Sequence, residues 1–366
     1  MSYTTFNRNE FNFMDQPMFF GEGVNTARFD QQKHPKFEKL TDTQLAFFWR
    51  PQEINVQKDA AEFQDLPAHE QHIFISNLKY QTLLDSIQGR SPTTVLLPIV
   101  SDPALENWIE TWAFSETIHS RSYTHILRGI FTEPSIILDD IPRNEFIMKR
   151  AESVTALYDE LYLMNARKHC GLPVDKYAHA RLLYLCMHSI NALEAIRFYV
   201  SFACSFAFAE RGIMIGNSKI IKLIARDEAL HMSGTQYILR EMQSGREGDL
   251  MARVAEDCAE EASDIFMTAS VQEKEWASDY LFKDGSMVGL NKEILGVYID
   301  HLTDQRMRAA GLDSVFKKPI KSPFPWINKY LNNDAVQETP QEGETGQYLT
   351  GQVDTAMDKE DFAFDL

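Results

Sequence analysis

Two Glu-x-x-His matches stand out in this chain of 366 residues, Glu116-Thr-Ile-His119 and Glu228-Ala-Leu-His231. Both lie in sequence of helical periodicity, where residues three apart share a face, so each pair presents a carboxylate and an imidazole to one point. With 10 histidines in the chain, roughly one such match is expected by chance, so the motif alone is weak. Its surroundings strengthen it. Asp85 lies in the helical segment before the first match and Glu194 in the segment before the second, each amid apolar sequence where an unpaired charge is costly. Asp85 to Glu116 is 31 residues, Glu194 to Glu228 is 34, and Glu116 to Glu194 is 78. Four carboxylates neutralise two divalent ions. With two imidazoles they form an oxygen-rich set suited to Fe or Mn rather than to a thiolate-bound metal. The plain alternative is a pair of core histidines beside ordinary acids, and the duplicated register of all six residues argues against it.

Other side chains fall on the same faces. Tyr123 is four residues beyond His119, one turn along, about 6 Å of rise. Phe198 and Phe202 follow Glu194 at intervals of four, and Ile224 precedes Glu228 by four, an apolar set able to wall a phenol from water. Asp227, next to Glu228, is a candidate to accept the outer ring N–H of a ligand histidine, with surface exposure as the alternative. Trp112, one turn before Glu116, offers an indole N–H to a ligand carboxylate, or simply packs. Trp49 reads as a core aromatic.

The elements that must carry these residues are helices. The patterning and cap signals predict one from near Pro67 to before Gly89, and a second opening at Asp102-Pro103 and reaching about Gly129. A third covers Val174 to about Phe208, and a fourth runs from Asn217, as N-cap, to about Gln243. Further helical patterns lie near 36–50, 143–169, 249–280 and 291–310, and strand signals allow at most a small hairpin. Two helical hairpins of matching layout joined by a long crossover make an all-α, ferritin-like four-helix bundle with additional surrounding helices, the frame of a diiron or dimanganese carboxylate site.

Composition bounds the function. Thirty-six Lys and Arg against 53 Asp and Glu give a net charge of −17 with no compensating basic run, which excludes direct nucleic-acid binding. A hydrophobic fraction of 44% supports a large core. The longest nearly apolar stretch, 198–209, falls short of the roughly 20 residues of a membrane span, and the N-terminus lacks a secretion-signal layout. Cys170, Cys186, Cys204 and Cys258 show no paired spacing, consistent with a reducing, cytoplasmic compartment. The division expected is a helical domain over 1–332 and a tail over 333–366, where residues 339–366 hold seven acids against Lys359. Phe362, Phe364 and Leu366 at its end read either as a frayed terminus or as a docking peptide.

With these residues in view, the chain resembles the small, radical-generating β subunit of class Ia ribonucleotide reductases, close to the enterobacterial form. The resemblance rests on Pro-Met-Phe-Phe-Gly at 17–21, Phe-Phe-Trp-Arg-Pro at 47–51, Asn-Leu-Lys-Tyr-Gln-Thr-Leu-Leu-Asp-Ser-Ile at 77–87, and the runs 110–125, 191–211 and 220–231. Tyr348-Leu and Gly351-Gln352 extend it into the tail. The main departure is a short 165–180 region that carries no ligand. The resemblance implies that Asp85, Glu116 and His119 bind one iron and Glu194, Glu228 and His231 the other. It implies an oxo-bridged diferric centre formed with O2, with manganese not excluded. Tyr123 then corresponds to the radical-bearing tyrosine, and Trp49, Asp227 and His119 to the route of electrons into the site. Tyr348 corresponds to a tail relay to the large α subunit, Glu342 to an important tail acid, and the extreme C-terminus to the docking peptide. The family further implies a homodimer and an external thiol reductant that acts on the large subunit. The substrate ribonucleotide then never touches this chain, in keeping with the lack of a phosphate-cradling glycine loop. Two other readings of the residues are a diiron hydroxylase or desaturase, which needs a substrate cavity where Phe198, Phe202 and Ile224 are expected to pack, and an iron-storage or structural bundle, which needs neither Tyr123 nor Tyr348.

Overall fold

The computed structural model describes residues 4–331. The helices, in chain order, are α1 (Pro35–Ala46), α2 (Gln57–Asp65), α3 (Ala68–Gln88), α4 (Ser91–Val95), α5 (Pro103–Ile130), α6 (Pro134–Asp140) and α7 (Glu145–His169). They continue as α8 (Lys176–Ala192), α9 (Phe198–Glu210), α10 (Ile215–Gln243), α11 (Asp249–Asp257), α12 (Ala259–Glu275), α13 (Lys292–Ala309) and α14 (Asn328–Leu331). Two single π-helical turns, Leu193–Arg197 and Trp276–Leu281, extend α8 into α9 and prolong α12. Extended pairing among the described residues is limited to two isolated bridges, Phe19 with Val100 and Met287 with Leu290.

Local chemistry sets the helix starts. Asp102, Asn144, Asp175 and Asn291 each accept the backbone N–H three residues on, satisfying a donor that has no partner within the helix. The start of α10 differs from the expectation that Asn217 caps it. Met214, in the left-handed region at φ 52°, turns the chain into the helix, and Asn217 lies buried in its first turn. The cap comes from α2: the Asp59 carboxylate accepts from Gly216 N–H at 3.0 Å and Asn217 N–H at 2.5 Å. A Cβ on Gly216 would stand 2.6 Å from the Asn55 carbonyl, so only glycine admits this close approach. The pattern over 249–280 is likewise divided, because the chain breaks at Cys258 between α11 and α12. Helix α1 ends at Ala46, leaving Trp49 outside it.

Helices α3, α5, α10 and the α8–α9 run form the central bundle: α3 packs on α5 and α9, and α10 on α5, α8 and α9. Residues 131–175, with α6 and α7, make the crossover, and α1, α2 and α11 to α13 surround the core. The continuous run Lys176–Glu210 is 35 residues long, with an 18-residue window of mean hydropathy 1.4. By length and composition it passes the test for a membrane span, contrary to the reading from uninterrupted apolar residues. However, 94% of that window is buried inside the protein, which makes it the central core helix here. The boundary expected at 333, with Glu342, Tyr348 and the terminal peptide, lies outside the described residues.

Candidate metal centre

Asp85 comes from the last turn of α3, Glu116 and His119 from the middle of α5, Glu194 from the π-turn, and Glu228 and His231 from α10. None of the six exposes any surface. The structure brings them together as two overlapping sets, Asp85–Glu116–His119–Glu228 and Glu116–Glu194–Glu228–His231, with donor atoms within 4.8 Å of one another in each. Glu116 and Glu228 belong to both. Glu116 places Oε2 3.2 Å from His119 Nδ1 and Oε1 3.1 Å from His231 Nδ1, while Glu228 places Oε1 and Oε2 at 3.1 and 3.2 Å from the same nitrogens. Two carboxylates that each face both imidazoles have the geometry of bridging ligands, which spacing along the chain did not reveal.

The donor chemistry fits a pair of divalent cations. Both oxygens of Asp85 and Oε2 of Glu194 are buried with no hydrogen-bond partner, a costly state for carboxylates unless cations compensate them. Burial, then Glu116, drives the Asp85 carboxyl well above its ordinary range, and burial does the same to Glu194. Burial opposes ionisation of Glu116 too, but contacts with His119 and His231 bring it down to about 2. Burial disfavours charged imidazoles, yet the surrounding carboxylates push His119 well above its usual value and His231 up to about 10. Metal ions and protons compete for these same carboxylate and imidazole atoms.

The outer nitrogens are held by a crossed arrangement. Asp227 Oδ2 lies 3.2 Å from His119 Nε2 and accepts the Trp49 indole N–H at 2.9 Å, giving a continuous Trp49–Asp227–His119 chain. Ser115 Oγ lies 2.7 Å from His231 Nε2. Each residue that precedes a Glu-x-x-His motif thus supports the histidine of the other helix. Ser115 went unremarked in the sequence, although its register, one before Glu116 as Asp227 is one before Glu228, was the available signal. Trp112 donates to Glu116 Oε1 at 3.0 Å, and Gln88 donates to Glu194 Oε1 at 2.7 Å while accepting from Tyr158. Gln88 and Tyr158 carried no sequence signal. Tyr123 is fully buried, with Asp85 the carboxylate beside its Oη; burial, then the nearby Asp85 charge, raises its pKa well above the ordinary phenol value. Phe198 and Phe202 stack with ring centroids 5.9 Å apart, and both they and Ile224 are fully buried.

A helical bundle with this caged set of four carboxylates and two imidazoles has the ferritin-like fold and a carboxylate and histidine cluster suited to a dimetal centre. Over residues 27–323 the sequence matches the family described as ribonucleotide reductase, small chain. It is 56% identical to the ribonucleoside-diphosphate reductase 1 subunit beta of Salmonella typhimurium across 99% of both chains, and 51% identical to the phage T4 subunit beta across 97% of both. The chain belongs to the ribonucleotide reductase small-chain family. Among solved structures it resembles the R2 subunit from Clostridium botulinum, with TM-score 0.78 and 23% identity over 90% of this chain and 98% of that one. It also resembles a dimanganese(II) NrdF of Streptococcus sanguinis, with TM-score 0.68 and 19% identity over 85% of this chain and 99% of that one. At these identities the likenesses speak to the fold. Small chains of this family work with a large subunit.

Proposed function

We propose that this chain generates and stores the tyrosyl radical that starts reduction of ribonucleoside diphosphates in a partner large subunit. The observation that carries the proposal is the juxtaposition of a six-residue carboxylate and histidine cage with one fully buried phenol, Tyr123, beside Asp85. When bound, a redox-active metal pair, iron by preference, supplies the oxidising equivalents by reacting with O2; the donor set suits manganese as well.

The residues of the chain do the rest. Asp85 and His119 would hold one metal, Glu194 and His231 the other, with Glu116 and Glu228 shared between the two sets. With the metal pair bound as oxidant, Tyr123 would give up its phenolic hydrogen atom, and Asp85, the carboxylate beside Oη, would be placed to take the proton. Complete burial keeps water and reductants from Oη. Phe198, Phe202 and Ile224 occupy the region where a hydroxylase would need a substrate cavity, and their complete burial disfavours that reading. Trp49, hydrogen-bonded to Asp227 and through it to His119, conducts electrons to the centre during activation and oxidation away from it during turnover.

The same reading assigns Tyr348 and Glu342 to the relay in the tail, the last residues to docking on the large subunit, and the working state to a cytoplasmic homodimer served by a thiol reductant of the large subunit. Electron paramagnetic resonance after addition of ferrous iron and O2 to metal-free protein tests the assignment. The wild type gives a tyrosyl signal and Tyr123→Phe gives none, with iron content equal in the two. An unchanged signal in the variant overturns the role of Tyr123.

A further inference from the structure

A second cluster of metal-binding side chains lies apart from the cage, where the N-terminal arm meets the far end of α10. His34, Glu241 and Glu247 bring one ligand atom each within 4.8 Å of the others. Glu241 is ten residues beyond His231 on α10, about 15 Å along the helix axis. The three donors come from the residue before α1, the last turns of α10 and the turn between α10 and α11. His34 is 3% exposed, Glu241 is 6% exposed, and the Glu247 side chain is 4% exposed.

Two features set this group apart from an ordinary ion-pair cluster. First, His34 Nε2 and Glu247 Oε1 are both buried and face each other at 3.4 Å, a long contact that is a hydrogen bond only when Nε2 carries the proton. Second, the imidazole is already oriented: Tyr237 Oη is 3.0 Å from Nδ1, so when Nδ1 carries the proton the Nε2 lone pair points at the carboxylate. Lone pair against lone pair is repulsive unless a proton or a cation lies between. A tetrahedral ion with bonds of about 2.0–2.1 Å holds its ligand atoms about 3.3–3.4 Å apart, the separation of His34 Nε2 from Glu247 Oε1. Glu241 is held by Arg246 through Nε at 2.6 Å and Nη2 at 2.5 Å, and each of its oxygens keeps a further lone pair for a metal. Lys33 Nζ, 3.9 Å from Glu247 Oε1 and bonded to the Gln16 carbonyl, is the competing cation.

We propose that His34, Glu241 and Glu247 bind one Zn2+-class ion, with a fourth position left to water. One imidazole and two carboxylates suit zinc, which outcompetes divalent iron and manganese at nitrogen-containing sites of this kind. The ion clips the N-terminal arm to the bundle. Glu247 Oε2 accepts the Met18 N–H at 2.5 Å, and the arm continues through Met18 and Phe20, paired to Ser101 and Ile99. Fixing Oε1 on a metal fixes the orientation of Oε2 and hence the Met18 contact.

The test uses the full-length protein with its core first loaded with iron in air, then dialysed and titrated with Zn2+ in a calorimeter, with zinc and iron measured in the same samples. The wild type takes up one zinc per chain beyond its iron. His34→Asn keeps an amide at the Nδ1 position for Tyr237 and removes Nε2, and Glu247→Gln removes a charge. Each weakens zinc binding at least tenfold, since loss of a ligand exceeds the roughly 10–100-fold cost of losing an outer partner. Iron content stays equal in all three. Zinc also slows proteolysis of the arm in the wild type and not in His34→Asn. No zinc uptake by the wild type, or equal uptake by wild type and His34→Asn, overturns the proposal; should Glu247→Gln fail to fold, His34→Asn decides alone.

Discussion

Glu273 on α12 accepts four hydrogen bonds inside the protein: from Tyr80 Oη at 2.7 Å, Arg150 Nε at 3.1 Å and Nη2 at 2.8 Å, and Arg197 Nη1 at 3.1 Å. The Glu273 side chain is 0% exposed and those of Arg150 and Arg197 are each 3% exposed. Arg150 also lies over the Tyr80 ring at 3.5 Å and the Trp276 ring at 4.1 Å. Replacing Glu273 by Gln preserves volume but removes the one carboxylate that, among the described residues, is bonded to these two guanidiniums, and turns an amide N–H toward one of them. Breaking such a buried ion pair costs about 3–5 kcal/mol. At about 2 °C per kcal/mol for a chain of this size, thermal unfolding followed by far-UV circular dichroism falls by about 6–10 °C. Glu275, two residues along and paired with Lys149 at the surface, is the control; its Gln variant changes stability by less than about 1 kcal/mol. The substitution also reaches the cage. Arg197 closes the π-turn that carries Glu194, and its Nη2 is further bonded to Ser153 and Gln272, so the clasp holds that turn against α7 and α12. Glu273→Gln is expected to lower metal occupancy along with stability. A variant within about 0.5 kcal/mol of wild type and with full metal content refutes this reasoning.

Gly234→Ala would place a methyl group 2.7 Å from Trp108 Nε1 and 3.3 Å from Leu40 Cδ1, so the usual helical gain of about 1 kcal/mol gives way to an overpacking cost of about 1–3 kcal/mol, read as a lowered melting temperature. His188 is fully buried with both ring nitrogens unpartnered, and burial pulls its pKa down to about 3. The unfolded chain, near 6.5, then binds the proton first, so this contribution is intact above about pH 6.5 and is lost progressively down to about pH 3. At pH 5 the loss is about 2 kcal/mol. His188→Leu should therefore lose less stability between pH 7 and pH 5 than wild type, and equal losses contradict the argument. Stripping metal with a chelator should lower the melting temperature, and readdition of Fe2+ or Mn2+ should restore it as the cage carboxylates regain their cations. Removal of the last ~20 residues should abolish binding to the large subunit in a pull-down while leaving radical formation intact, as the docking role proposed for the C-terminal peptide requires.

The helices that carry the cage were legible because each ends in a local signal: Asp102 and Pro103 before α5, Asp175 before α8, Gly89 after α3. The start of α10 was not, because its cap is Asp59, more than 150 residues away, and no local pattern encodes a partner so distant. The spacing of Asp85, Glu116, His119, Glu194, Glu228 and His231 foretold that they converge. It did not foretell that Glu116 and Glu228 face both imidazoles, since that depends on the rotamers of packed helices. The π-turn at Glu194 escaped a reading based on 3.6 residues per turn, for it inserts an extra residue that only packing on α12 and α13 reveals. Helices α2, α4 and α6, of nine, five and seven residues, span too few turns for a repeating apolar pattern to stand out and were invisible for that reason.

Anomalous diffraction from crystals grown with Mn2+ or Fe2+ tests the dimetal cage most directly. Two peaks, one beside His119 Nδ1 and one beside His231 Nδ1, with Glu116 and Glu228 touching both, are the predicted result. A single peak, or peaks only outside these six residues, contradicts it.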